Sequence, residues 1–193
     1  PTARKTGVIV IGVSTGGPQA LKQLIPRLPA DLPVPVVMVL HMPVGYTELF
    51  ARSLGEASRL PVAEARDGDP VRPGRALLAP AGYHLSFTRG PDRDVKTRLS
   101  LKPLDLPHRP AADVLFQSAA DVYGDRALAV VLTGMGNDGT KGAAWIKAQG
   151  GRVFTEAEET CVVYGMPRAV VEAGLSDREA PLNRMAEAIL EGL

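Results

Sequence analysis

A serine, a histidine and an aspartate stand at chemically useful places in this sequence. Ser14 lies in Gly12-Val13-Ser14-Thr15-Gly16, a G-x-S-x-G match that follows the apolar run 8–11 and precedes a helix opened by Pro18. Strand, tight turn and helix are the context that a nucleophile elbow needs. The glycines let the backbone turn sharply and keep the serine oxygen clear of side chains. The helix start presents free backbone N–H groups that can steady an oxyanion. The same turn, residues 12–17, can instead cradle a phosphate or nucleotide, with Ser14 capping the helix. By itself the loop does not decide between the two, although neither the G-x-G-x-x-G nor the G-x-x-x-x-G-K-[ST] fingerprint is present.

His41 directly ends a second apolar run, 36–40. A neutral imidazole there could take the serine proton; the plainer reading is a hydrogen-bonded core histidine. Asp138 lies in Thr133-Gly134-Met135-Gly136-Asn137-Asp138-Gly139, after the run 127–132. It could accept the His41 ring N–H, fixing the tautomer and stabilising the imidazolium. Its plainer role is to cap the helix that follows it. In open α/β sheets, sites gather beyond the carboxyl ends of the strands, and all three residues fall there. The order Ser, His, Asp differs from the Ser, Asp, His of α/β-hydrolases, so a hydrolytic triad here would sit on another topology. His84 and His108 read as structural or rim residues. Cys161, within Thr160-Cys161-Val162-Val163-Tyr164, reads as a buried, inert thiol. Three scattered histidines, no H-E-x-x-H and no cysteine pair point away from a metal site, and no cofactor is expected.

Strands alternating with helices must position these residues. The runs 8–11, 36–40, 75–80, 127–132 and 152–155 read as strands, the first two and the fourth buried on both faces. A helix follows Pro18, with Leu21, Leu24, Ile25 and Leu28 at helical spacing, and others are expected over 48–58, 111–123, 140–149, 166–173 and 183–190. Residues 83–89 and 95–101 flank Gly90-Pro91-Asp92-Arg93 as a hairpin. The pattern predicts an α/β fold, an open and mostly parallel sheet with an added antiparallel hairpin.

The chain has 193 residues, 45% hydrophobic and 22% charged, which is ordinary for a globular protein and suggests one domain, residues 1–193 with an ordered core from residue 7. A net charge of +1 leaves no basic excess for nucleic acid. The single cysteine cannot make an internal disulfide and fits a reducing, cytoplasmic setting. The apolar runs are far short of the roughly 20 residues of a membrane span, and no signal peptide is evident. The chain starts at Pro1 without Met, as a piece of a longer protein would.

Taken together, Val10-Ile11-Gly12-Val13-Ser14-Thr15-Gly16-Gly17, His41-Met42-Pro43 and the 132–139 block resemble the catalytic domain of CheB, the receptor protein-glutamate methylesterase. Secondary matches are Ala79-Pro80-Ala81-Gly82-Tyr83-His84, the segment 109–116 and the segment 160–167, so the resemblance runs along essentially the whole chain. It implies a doubly wound sheet and a triad of Ser14 as nucleophile, His41 as base and Asp138 as orienting carboxylate. It further implies that Thr15 and Met135 line the site, with a backbone N–H near Met135 holding the oxyanion. The implied substrate is a glutamyl γ-methyl ester on the cytoplasmic helices of a methyl-accepting chemoreceptor, hydrolysed to carboxylate and methanol, with glutamine deamidation beside it. A decayed site, leaving a receptor-binding adaptor, is a further reading that the intact Ser14, His41 and Asp138 oppose. Two positions depart from the family pattern: Leu40 stands where glutamine is common, and Ala81 replaces the first glycine of a Pro-Gly-Gly-x-His block. The family often adds an N-terminal receiver domain. None is expected within these residues, so the site should be open and unresponsive to a phosphodonor.

Overall fold

The structure, a computed structural model, describes residues 5–193; residues 1–4 of the polar start lie outside it. Its centre is β1 (Val8–Val13), all of whose residues are buried. Side chains alternate along a strand, and here Ile9, Ile11 and Val13 enter one core while Val8 and Val10 enter another. A continuous apolar run is therefore what a strand covered on both faces requires.

Beside β1 lie β2 (Val36–Leu40) on one flank and β7 (Ala127–Val131) on the other. Outward from β2 come β4 (Ala76–Leu78) and β3 (Val62–Glu64); outward from β7 come β8 (Arg152–Glu156) and β9 (Arg178–Ala180). The order β3-β4-β2-β1-β7-β8-β9 gives seven strands, parallel at every pairing. The chain winds away from β1 in both directions, so a crevice opens at the carboxyl ends of β2, β1 and β7, the usual place for a site in such sheets.

On one face α1 (Gly17–Leu24), α2 (Thr47–Glu56) and α6 (Leu182–Glu191) bury Leu21, Leu24, Phe50, Leu54, Met185 and Ile189. On the other, α3 (Ala112–Tyr123), α4 (Thr140–Ala148) and α5 (Met166–Glu172) bury Leu115, Phe116, Ile146 and Val170. The hairpin of β5 (His84–Arg89) and β6 (Val95–Ser100) forms its own two-stranded antiparallel sheet. It adds Leu85 and Phe87 to the second core, and the Phe87 N–H donates to Ser118 Oγ of α3 at 2.6 Å. This is the doubly wound architecture with an added hairpin. The two outermost strands, β3 and β9, are three residues each and partly exposed, so they carry no apolar run that a sequence pattern could reveal.

Candidate active site

The pairing register brings Ser14 and His41 together. Val13 pairs with Leu40, and the His41 N–H donates to the Val13 carbonyl at 3.2 Å, so the two residues leave adjoining strand ends side by side. On the other flank the Ser14 N–H donates to the Thr133 carbonyl at 3.0 Å. Close approach on two sides explains Gly134: a Cβ there would meet Met166 Sδ first and would stand 2.8 Å from Ser14 Cβ and 3.1 Å from Ser14 N. The turn after Ser14 passes through Gly16 at φ 81°, a left-handed conformation that suits glycine. α1 then begins without any side-chain cap, so Ser14 does not cap the helix; its carbonyl accepts the Gly17 N–H at 2.7 Å.

The His41 ring is nearly buried, and its Nε2 lies 2.7 Å from Asp138 Oδ2, with side chains 9% and 7% exposed. A carboxylate on Nε2 places the ring proton there and leaves Nδ1 as the acceptor. Nδ1 is buried and has no hydrogen-bond partner among the described residues. The ring of His108, from the loop between β6 and α3, stacks on His41 with centroids 3.9 Å apart and planes 13° from parallel. Burial first, and then the adjoining His41 ring, hold His108 below its ordinary pKa.

Asp138 does not cap the helix that follows it. The cap of α4 is Gly139, whose side-chain-free position makes no cap bond. Asp138 instead caps α3: Oδ2 accepts the Ala112 N–H at 2.7 Å and Oδ1 accepts the Asp113 N–H at 2.9 Å. Asp113 returns the favour to α4, its Oδ1 accepting the N–H groups of Gly139 and Gly142 at 2.9 and 2.8 Å. Burial alone would raise the Asp138 carboxyl, but the His41 ring N–H and the two α3 amides outweigh it and hold the carboxyl below its ordinary value. The group therefore stays ionised beside the imidazole.

Thr15 is exposed, and its carbonyl accepts the Thr133 hydroxyl at 3.0 Å. Met135 is 66% exposed at the rim, two residues beyond Thr133. His84 is a satisfied core residue: its Nε2 bonds the Pro103 carbonyl at 2.9 Å and its Nδ1 accepts the Ala111 N–H at 3.2 Å. Cys161 is half-buried, and burial, with the nearby Glu156 charge second, pushes its thiol up to about 12, which removes it as a nucleophile. Leu40, one of the two departures expected from the family pattern, is fully buried in the first core. At the other departure, the left-handed turn falls on Gly82 at φ 94°, which is retained, so Ala81 needs no special backbone conformation. Three residues escaped the sequence reading: His108 as a stacking partner, Asp113 as a helix cap and Glu156, fully buried at the end of β8. Only Glu156 carried a signal, being a charge directly after the expected strand 152–155.

The model of the CheB methylesterase family matches residues 9–189. The chain belongs to the CheB methylesterase family. It is 51% identical over 188 residues to a protein-glutamate methylesterase/protein-glutamine glutaminase of Myxococcus xanthus, covering 96% of this chain and 53% of that protein. A relative of the same name from Methanosarcina acetivorans is 46% identical over 191 residues, covering 97% of this chain and 54% of that protein. The chain thus spans about half the length of these curated CheB relatives. The crystal structure of the Thermotoga maritima CheB methylesterase catalytic domain superposes with a TM-score of 0.94 at 42% identity, covering 98% of this chain and all of that one.

Proposed function

We propose that residues 7–193 act as one catalytic domain that hydrolyses glutamyl γ-methyl esters on the cytoplasmic helices of chemoreceptors, and also deamidates receptor glutamines. The observation that carries this reading is the state of His41. One ring nitrogen is fixed by an ionised carboxylate, while the other is buried, unpartnered and next to a serine at the adjoining strand end. A buried acceptor without a partner is uncommon, and a Ser14 hydroxyl turned toward it supplies one. The relatives' names support the substrate class.

The chemistry follows from these positions. Ser14 Oγ attacks the ester carbonyl as its proton passes to His41 Nδ1. Asp138 steadies the imidazolium through Nε2. The carbonyl oxygen becomes an oxyanion, held by a backbone N–H near Met135 beside the Thr15 turn. Collapse expels the methoxy group, which takes the proton from His41 and leaves as methanol. Water, deprotonated by His41, then cleaves the acyl-serine and restores the glutamate carboxylate. Ammonia takes methanol's place when the substrate is glutamine. Large exposed apolar side chains, Val44 and Tyr46 after His41 and Val162 and Met135 near Ser14, suit a protein surface as substrate. Among the described residues no helix is long and apolar enough to cross a membrane.

A fluorophosphonate probe separates this reading from a phosphate-binding loop. Covalent labelling of Ser14 in the wild type, absent in His41→Ala, is expected; no labelling under conditions that modify a trypsin control would refute an activated serine. Two further outcomes follow from the geometry. Gly134→Ala forces its Cβ against Met166 Sδ and the Ser14 turn, and displacement of a nucleophile by about 1 Å costs on the order of 10² in rate. The esterase kcat should fall by about that factor, and an unchanged kcat would mean that the close approach of Gly134 does not set the position of Ser14. His108→Ala removes a ring contact worth about 0.5–1.5 kcal/mol. That is a loss of folding stability, so Tm should fall by roughly 2–4 °C per kcal/mol, as read by calorimetry.

A further inference from the structure

Glu156 is a carboxylic acid with no exposed surface, placed at the carboxyl end of β8. A buried carboxyl without partners would be costly, and this one is hydrogen-bonded. Its Oε2 accepts the backbone N–H of Thr133 at 2.8 Å, and its Oε1 accepts the Thr160 hydroxyl at 3.0 Å. Thr133 is the joint on which the active-site loops meet. Its carbonyl accepts the Ser14 N–H at 3.0 Å, and its hydroxyl donates to the Thr15 carbonyl at 3.0 Å. The same hydroxyl accepts the Val163 N–H at 3.0 Å, and the Val163 carbonyl in turn accepts the Gly134 N–H at 3.0 Å. One carboxylate thus reaches the nucleophile turn and the Gly134–Met135 backbone through Thr133, and the 160–165 strap through both Thr133 and Thr160.

We infer that Glu156 is a positioning residue for turnover: through the Thr133 amide and hydroxyl it holds the Gly134–Met135 backbone in register with the Ser14 turn. The inference rests on the esterase reading above and adds a residue that touches neither substrate nor His41. Its effect belongs in kcat, because the Ser14 oxygen and the oxyanion-binding N–H must agree in position only when the tetrahedral centre forms. Burial raises the Glu156 carboxyl above its ordinary value, opposed by the Thr133 and Thr160 hydrogen bonds. The acceptor on Thr133 is therefore what the site needs, and an amide of the same shape can supply it. A glutamine would present its oxygen to the Thr133 N–H and its NH₂ to the Thr160 hydroxyl.

The test compares Glu156→Gln, Glu156→Leu and Thr133→Val with the wild type. Each is measured for kcat and KM on a methylated receptor fragment, for the rate of Ser14 labelling by a fluorophosphonate, and for circular dichroism. Glu156→Gln should stay within about threefold of wild type. Glu156→Leu should lose on the order of 10–10² in kcat and in labelling rate, the scale of a small misplacement of reacting groups, with KM changed less than about threefold. Thr133→Val should lose kcat in the same direction. A folded Glu156→Leu with wild-type kcat overturns the inference, as does Glu156→Gln falling as far as Glu156→Leu. If Glu156→Leu does not fold, Glu156→Asp takes its place: it keeps the charge but draws the carboxylate back from the Thr133 N–H, and a wild-type kcat in it overturns the inference equally. Failure of the wild type itself to label refutes the esterase reading; labelling that ignores all three substitutions refutes only the role of Glu156.

Discussion

Ser14→Ala is expected to abolish ester hydrolysis while leaving the fold intact. Loss of the nucleophile in a serine–histidine–aspartate triad lowers kcat by on the order of 10⁶, and a loss of that scale is expected here. The bonds that hold residue 14 in place, from its N–H to the Thr133 carbonyl and to its own carbonyl from the Gly17 N–H, belong to the backbone and survive the substitution. Thermal unfolding of Ser14→Ala should therefore match the wild type. Methanol release measured on both proteins checks the activity, and near-wild-type turnover by the folded variant would dismiss Ser14 as the nucleophile.

Asp138→Asn should fail in two ways at once, since the residue has two tasks. The carboxylate receives three hydrogen bonds, from His41 Nε2 and from the N–H groups of Ala112 and Asp113. An asparagine can offer only one oxygen, so its NH₂ must face at least one of these donors. In a triad the same exchange lowers kcat by about 10⁴ because the imidazole takes the wrong tautomer. Leaving a buried donor unpaired destabilises by about 1–3 kcal/mol, which for a chain of this size lowers Tm by roughly 2–4 °C per kcal/mol. The folded protein holds the Asp138 carboxyl below its ordinary value. Its contribution is thus complete above the unfolded carboxylate pKa and is lost as pH falls through the lower folded one. The Tm gap between Asp138→Asn and wild type should accordingly narrow below about pH 4. Calorimetry across pH, with kcat at neutral pH, reads both effects. A variant with reduced kcat and unchanged Tm would remove the capping role.

The central strands were legible because burial on both faces leaves unbroken apolar runs; His41 directly follows one of them, Ser14 follows β1, and Asp138 lies in the loop between β7 and α4. β3 and β9 were not legible, being short edge strands with little to bury. Asp138 illustrates the limit of local reasoning. An aspartate ahead of a helix looks like its cap, yet here α3 and α4 exchange capping carboxylates, an arrangement fixed by packing between segments 25 or 26 residues apart. His108 meets His41 through a loop 67 positions away by number, and no periodicity announces a ring stack. Glu156 was visible as a charge ending β8, but its reach through Thr133 to Ser14 depends on strand order, which the sequence leaves open.

The most direct measurement is methanol release from a chemoreceptor cytoplasmic fragment carrying glutamyl γ-methyl esters, with the receptor peptides analysed by mass spectrometry. The account predicts one methanol for each ester converted to glutamate, with no release by Ser14→Ala. A wild-type chain whose Ser14 reacts with a fluorophosphonate but which leaves every receptor ester intact would contradict it.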